Sequence, residues 1–220
     1  LAFLGDGRTE LRNKRDVLLI SKFPELRELH RQVKKRCILD GELMVSVDGK
    51  PDFAEVQRRS LMSNAFKIQL ASEKAPASFV AFDILYYNGE TLMGKPLSQR
   101  KALLEKYVTE NERLAVSRCI ERQGRAFFQL AKEQELEGIV AKRKDSLYYS
   151  DKRTKDWIKI KNFVDDDFII CGYIFKEKGV ISLVLAQYGT DGQLVYKGHV
   201  TMGVSGENFQ RVEKARTRKT

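Results

Sequence analysis

Two apolar runs in this chain carry carboxylates where a strand normally excludes them. "CILDGELMVSVDG" reads as a strand closed by an Asp48-Gly49 turn, with Asp40 and Glu42 two residues apart and so on one face. "ASFVAFDILYYNGE" reads as a long, largely buried strand ending at Asn88-Gly89, with Asp83 flanked by apolar residues on both sides. A further carboxylate, Glu137, stands at the helix-to-strand junction of "ELEGIVAKR". An unpaired carboxylate is costly to bury, so a strand interior holds one when it is paired or binds something. The fold must therefore bring several strands together with polar groups inside.

"DWIKIKNF" adds the opposite charge. Trp157, Lys159 and Lys161 face one way, and Ile158 and Ile160 the other, which is the two-residue period of a half-buried strand. One reading is a solvated edge guarded by lysines. The other is a wall for an anion, where two ammonium groups converge on a phosphate and the isoleucines face core.

The remaining segments alternate between the two periods. "LAFLGDGRTELRNKR" reads as a hairpin turning at Gly5-Asp6-Gly7, its first strand starting at residue 1 as though cut from inside a sheet. "FPELRELHRQVKKR" predicts a helix with Pro24 in its first turn and Leu26, Leu29 and Val33 as its stripe. "DFAEVQRRS" predicts a short helix, and "LSQRKALLEKYV" another capped by Ser98. "GRAFFQLAKEQELEG" predicts a helix running out at Gly138, followed by the strand "GIVAKRK" and a charged loop, "DSLYYSDKRTKD". Beyond Lys161 the pattern turns all-β. "DDFIICGYIF", "GVISLVLAQYG" and "QLVYKGHVTMG" read as an antiparallel meander with no helix, which places a domain boundary near Asp165, with domains 1–164 and 165–220. "EKARTRKT" reads as a basic tail or the start of a further element.

A net charge of +10 and a pI near 9.5 favour a polyanionic partner, nucleic acid before an acidic membrane. No apolar run is long enough to cross a bilayer, no signal peptide opens the chain and no basic amphipathic helix suggests a membrane surface. Cys37, Cys119 and Cys171 are far apart and read as reduced core thiols, while His30 and His199 are too isolated for a metal cluster.

One chemistry accommodates these polar groups. Carboxylates hold a divalent cation and ribose hydroxyls, lysines neutralise a phosphate, and the aromatic face of Phe82 supports a base. Against it stand plainer roles: Phe82 as core, and Glu42 and Glu137 as members of buried salt bridges.

Four segments in order, "LDGELMV", "FVAFDILY", "EGIVAKR" and "WIKIK", resemble motifs of ATP-dependent DNA ligases, members of the covalent nucleotidyltransferase superfamily that includes RNA ligases and capping enzymes. "PDFAEVQRR" and "GETLMGKPLSQRKALLE" resemble the same branch, with the greatest likeness to the compact ligase domains of bacterial end-joining ligases. The resemblance implies an α+β, ATP-grasp-like nucleotidyltransferase domain with antiparallel sheets and flanking helices, followed by a partial all-β OB-fold. It implies Glu42 near ribose and metal, Phe82 stacked on adenine, Glu137 on the metal, and Lys159 and Lys161 on the α-phosphate. Arg153 occupies a position where these ligases often carry an arginine. The implied cofactors are ATP or AMP with Mg²⁺ or Mn²⁺. The implied partners are nicked or broken duplex DNA and other end-joining domains or proteins, in the bacterial cytoplasm at the nucleoid.

Departures accompany the likeness. The family's nucleophilic lysine, in K-x-D-G, is not in this chain, and "LAFLGDGRTELRNKR" resembles the segment that follows it. Where the family has Ser-Arg, the chain reads Asn13-Lys14; Lys14 then takes the arginine's part at the nucleotide, with Arg12 and Arg15 as neighbours. The C-terminal motif that orients pyrophosphate is absent as well. Two other readings stay open: an RNA ligase or capping-type enzyme with the same pocket, and a basic DNA-binding fragment without catalysis.

Overall fold

Strand β1 (Ala2–Gly5) turns at Asp6-Gly7 into β2 (Arg8–Leu11), then two 3-10 turns lead to β3 (Cys37–Val47), which turns at Asp48-Gly49 into β4 (Lys50–Pro51). Helices α1 (Phe53–Ser60) and α2 (Ala65–Lys74) precede β5 (Ala77–Tyr87), which turns at Asn88-Gly89 into β6 (Glu90–Thr91). Then come α3 (Leu97–Tyr107), β7 (Leu114–Val116), α4 (Gly124–Glu133), β8 (Gly138–Lys142) and β9 (Trp157–Lys161). The last elements are β10 (Ile169–Phe175), β11 (Ile181–Tyr188), β12 (Leu194–Val200) and α5 (Gly206–Lys214). The computed structural model describes residues 1–150, 152, 154–163, 165–176, 180–201 and 206–215. The chain divides into two units, Leu1–Asn162 and Phe163–Thr220.

In the first unit a sheet runs in the order β2-β1-β3-β5-β6, with β4 folded back on β3 and β7 parallel to β5; β8 and β9 form a separate antiparallel pair. The two carboxylate-bearing runs are its centre: β3 and β5 pair directly, and Leu39, Val45, Phe79, Ala81 and Ile84 are buried on one face. The opposite face carries Asp40 and Glu42. The pairing slips at Asp40/Gly41, where Asp40 lies opposite Asp83 and Gly41 opposite Ala81, so Phe82 is the extra residue of a bulge. A bulge bends the strand and re-aims its side chain. Gly41 is required there, because a Cβ would come within 2.6 Å of the Phe79 ring and 2.5 Å of the Val80 carbonyl oxygen.

The buried carboxylate found its partner in α3. Asp83 and Arg100 are both fully buried, and Nε and Nη2 of Arg100 donate to the two carboxylate oxygens at 2.8 Å each. Nη1 of Arg100 donates to the Ser146 carbonyl at 3.0 Å and to that of Lys95. Ser98 does not cap α3. The helix starts at Leu97, and the N–H groups of Leu97 and Ser98 donate to the carbonyls of Ser146 and Lys144, so the loop before β9 serves as the cap.

Other expectations need correction. "FPELRELHRQVKKR" is not an α-helix: Pro24–Leu26 and Leu29–Gln32 are 3-10 turns. Phe23, Leu26 and Leu29 are all buried, a spacing of three that a 3-10 turn with three residues per turn aligns on one side. Val33 then bridges to Val108 in extended conformation. Helix α4 stops at Glu133 rather than running to Gly138. Only Cys37 is a buried thiol, pushed up to about 12 by burial; Cys119 and Cys171 are exposed.

In the second unit β10, β11 and β12 form the expected antiparallel meander, but it is followed by α5. That helix buries Phe209, whose ring lies 5.0 Å from Tyr173 and 5.8 Å from Phe175. No helix among the described residues is long and apolar enough to cross a membrane.

Arg100→Met should lower the stability of the first unit by about 3–5 kcal/mol, since it leaves a buried carboxylate unpaired. Ser98→Ala should leave the urea midpoint in place, because its hydroxyl caps nothing. Equal midpoints for Arg100→Met and wild type would contradict the pairing.

Candidate active site

The register of β8 and β9 sets Lys142 opposite Trp157, Val140 opposite Lys159 and Gly138 opposite Lys161, so these side chains share one face. Gly138 is needed for the pairing: its φ is +141°, and a Cβ would lie 2.1 Å from the Ile160 carbonyl oxygen. The opposite face is less buried than expected, with Ile158 54% and Ile160 38% exposed.

The shared face meets the bulge of β5. Trp157 lies edge-on to Phe82, with ring centroids 6.1 Å apart at 78°. Nζ of Lys142 sits in the corner between them, 4.2 Å from the Phe82 centroid and 3.8 Å from that of Trp157. Burial pushes the Lys142 ammonium down to about 8, and the charge of Asp83 opposes that shift. Nε1 of Trp157 donates to the Ser146 hydroxyl at 3.2 Å. Tyr148 packs edge-on to Trp157 at 5.9 Å, and its hydroxyl donates to Asp40 Oδ2 at 2.8 Å. Burial raises the Asp40 carboxyl above its usual range, and raises the Tyr148 phenol as well.

Glu137 is exposed and paired with Lys161 at 3.0 Å, an ion pair that holds its carboxyl below the usual range. Glu42 is exposed and has no ion-pair or hydrogen-bond partner among the described residues. Lys14 is exposed in the loop after β2, and no interaction among the described residues links it to the Phe82 corner. Nearby Arg12 is paired with Glu10 and with Asp16. Arg153 lies outside the described residues. No group of three or more His, Cys, Asp or Glu side chains converges among the described residues. Glu137 and Glu42 each offer exposed carboxylate oxygens, the donor type that a hard divalent cation takes.

The structure thus unites Phe82 with the β8/β9 face that carries Lys159 and Lys161, and pairs Lys161 with Glu137. Sequence reasoning missed Lys142, Tyr148, Ser146 and Arg100. The signal for Lys142 was present, since "GIVAK" ends an apolar strand with a lysine two residues on from Val140. An aromatic corner beside a row of ammonium groups can stack a planar base and neutralise the phosphate attached to it.

The family described as the ATP-dependent DNA ligase domain matches residues 6–161. The chain is 33% identical over 175 residues to the SPbeta prophage-derived DNA ligase-like protein LigB of Bacillus subtilis, covering 78% of the chain and 60% of that protein. It is 30% identical over 216 residues to the multifunctional non-homologous end joining DNA repair protein LigD of Mycobacterium tuberculosis, covering 96% of the chain and 26% of that protein. Among solved structures, mycobacterial DNA ligase D complexed with ATP and MES superposes with a TM-score of 0.63 at 26% identity, covering 97% of this chain and 66% of that one. The chain spans 57–60% of the length of the first three curated relatives it matches. On the extent of the family match, with its α+β nucleotidyltransferase architecture, this chain belongs to the ATP-dependent DNA ligase domain family, and its relatives include bacterial end-joining ligases.

Proposed function

We propose that the full-length protein seals 5′-phosphate/3′-hydroxyl nicks in duplex DNA, using ATP, in bacterial repair and end joining. The observation that carries this reading is the β9 face on which Trp157, in ring contact with Phe82 of β5, is followed by Lys159 and Lys161. The base of ATP stacks on Phe82. Lys159 and Lys161, at about 7 and 14 Å along β9 from Trp157 by strand rise, neutralise the phosphate. Glu42 receives the ribose and, with Glu137, would hold a divalent cation, which supplies charge neutralisation beside the phosphates when bound.

The reaction has three phosphoryl transfers. A lysine nitrogen attacks the α-phosphorus and pyrophosphate leaves; the 5′-phosphate oxygen of the nick displaces that lysine from AMP; the 3′-hydroxyl oxygen then displaces AMP. Charge develops on a phosphate in each step, where fixed ammonium groups act. Residues 1–220 contain no K-x-D-G, so the nucleophile comes from sequence outside them. Lys14 contributes to nucleotide binding from the loop after β2. We further propose that 1–164 is the adenylation domain and 165–220 begins an OB-fold. The relatives' names support the DNA branch over an RNA ligase or capping enzyme. The protein acts in the cytoplasm at the nucleoid, with other end-joining domains or proteins as partners.

In the full-length protein, Lys159→Ala and Lys161→Ala should each slow adenylation by roughly 30- to 1000-fold, and at least one should slow sealing of a pre-adenylated nick. Phe82→Leu should weaken ATP binding in protein that remains folded, and Glu137→Gln should cut sealing in a way that added metal partly restores. Near-wild-type rates for both lysine variants would contradict the phosphate wall.

Duplex binding should be independent of sequence and fall steeply with salt, as phosphate contacts release counterions. An affinity unchanged between low and moderate salt would contradict the backbone-contact reading. Residues 1–220 alone should take up no label from radiolabelled ATP; covalent AMP on them would contradict the placement of the nucleophile.

A further inference from the structure

Lys142 has no role in the reaction as described, although it is the cation nearest the Phe82 corner. Its ammonium lies 4.2 Å from the Phe82 ring centroid and 3.8 Å from that of Trp157, a cation–π arrangement on both rings. The surrounding charges are mixed. Asp83 on β5 and Asp40 on β3 attract it, while Lys101 and Arg100 on α3 repel it. A base stacked on that side of Phe82 would occupy the volume the ammonium now fills. The ammonium therefore needs another place when a base enters.

The register supplies one. Lys142 is opposite Trp157, so Lys159 is its diagonal neighbour on the same face. Diagonal neighbours across an antiparallel pair stand about 7–8 Å apart. Two lysine side chains span that gap easily, since each is a charge on a flexible four-carbon stem. A phosphate drawn to Lys159 thus comes within reach of Lys142.

We propose that Lys142 is a specificity-determining residue that selects nucleotides against nucleosides. Its ammonium holds the Phe82 face when the site is empty, yields it to an incoming base, and is taken up by that ligand's phosphate beside Lys159. A nucleoside displaces the ammonium and offers nothing in return. A nucleotide displaces it and provides a charge-assisted partner. This inference rests on Phe82 being the base platform.

The test is calorimetric titration of the full-length protein with adenosine and with α,β-methylene-ATP, which cannot transfer AMP. Lys142→Met keeps the stem against the rings and removes the charge. It should bind adenosine about 2- to 30-fold more tightly, from the range of cation–π strengths. The ATP analogue gains the same relief but loses one charge-assisted contact, so its affinity relative to that of adenosine should fall at least roughly tenfold. Lys142→Arg should keep the wild-type preference. Lys142→Gln, with the same expected signs as Lys142→Met, serves if that variant does not fold. Equal weakening of both ligands, or no change in either, overturns the proposal and leaves the ligase reading intact. Wild-type protein that binds neither ligand contradicts Phe82 as base platform, and the proposal falls with it.

Discussion

The buried pair of Asp83 and Arg100 is the interaction on which the site's geometry depends. Asp83 directly follows the bulge residue Phe82, so anchoring one carboxylate fixes the direction of the neighbouring ring. Arg100 spends its remaining donor on the carbonyls of Ser146 and Lys95. The Ser146 carbonyl also accepts from the start of α3, and the Ser146 hydroxyl accepts from Trp157. One guanidinium therefore ties a central strand, a helix terminus and the loop before β9 into a single assembly. A buried ion pair is weak evidence for net stability, because desolvation offsets most of the attraction. Its value here is specificity of arrangement: few side chains other than arginine can satisfy two carboxylate oxygens and two carbonyls at once.

The groups proposed to meet a ligand are held differently. Glu137 and Lys161 pair in water-exposed positions, where an ion pair is weak and easily exchanged for a ligand phosphate or cation. Glu42 is exposed with no partner among the described residues. The site thus separates a rigid, dry foundation around Asp83 from a wet, exchangeable rim along β8 and β9. Such a division suits the proposed reaction, in which a fixed platform holds the base and exchangeable charges meet the phosphate.

Much of this was legible because strands declare themselves by period. The runs around Asp83 and Glu42, and the alternation of "WIKIK", are β5, β3 and β9 with the bounds their patterns suggest. What escaped was set by contacts distant in sequence. The stripe of Leu26, Leu29 and Val33 suited a helix, but Val33 is drawn into a bridge with Val108. α3 takes its cap from residues 144–146 instead of Ser98. α2 hid because Phe66 and Leu70 point outward, 76% and 41% exposed, leaving no clean apolar face. Asp83 was recognised as a carboxylate needing a partner, but nothing local names Arg100. Likewise, Lys142 becomes notable only once β5 brings Phe82 beneath it.

The central claim is that Phe82 and the β8/β9 face form one nucleotide site. A crystal structure of the full-length protein with AMP tests it most directly. The account predicts adenine stacked on the Phe82 ring, with the phosphate within about 2.7–3.2 Å of Nζ of Lys159 or Lys161. A base bound away from Phe82, with both lysines extended into solvent, would contradict it.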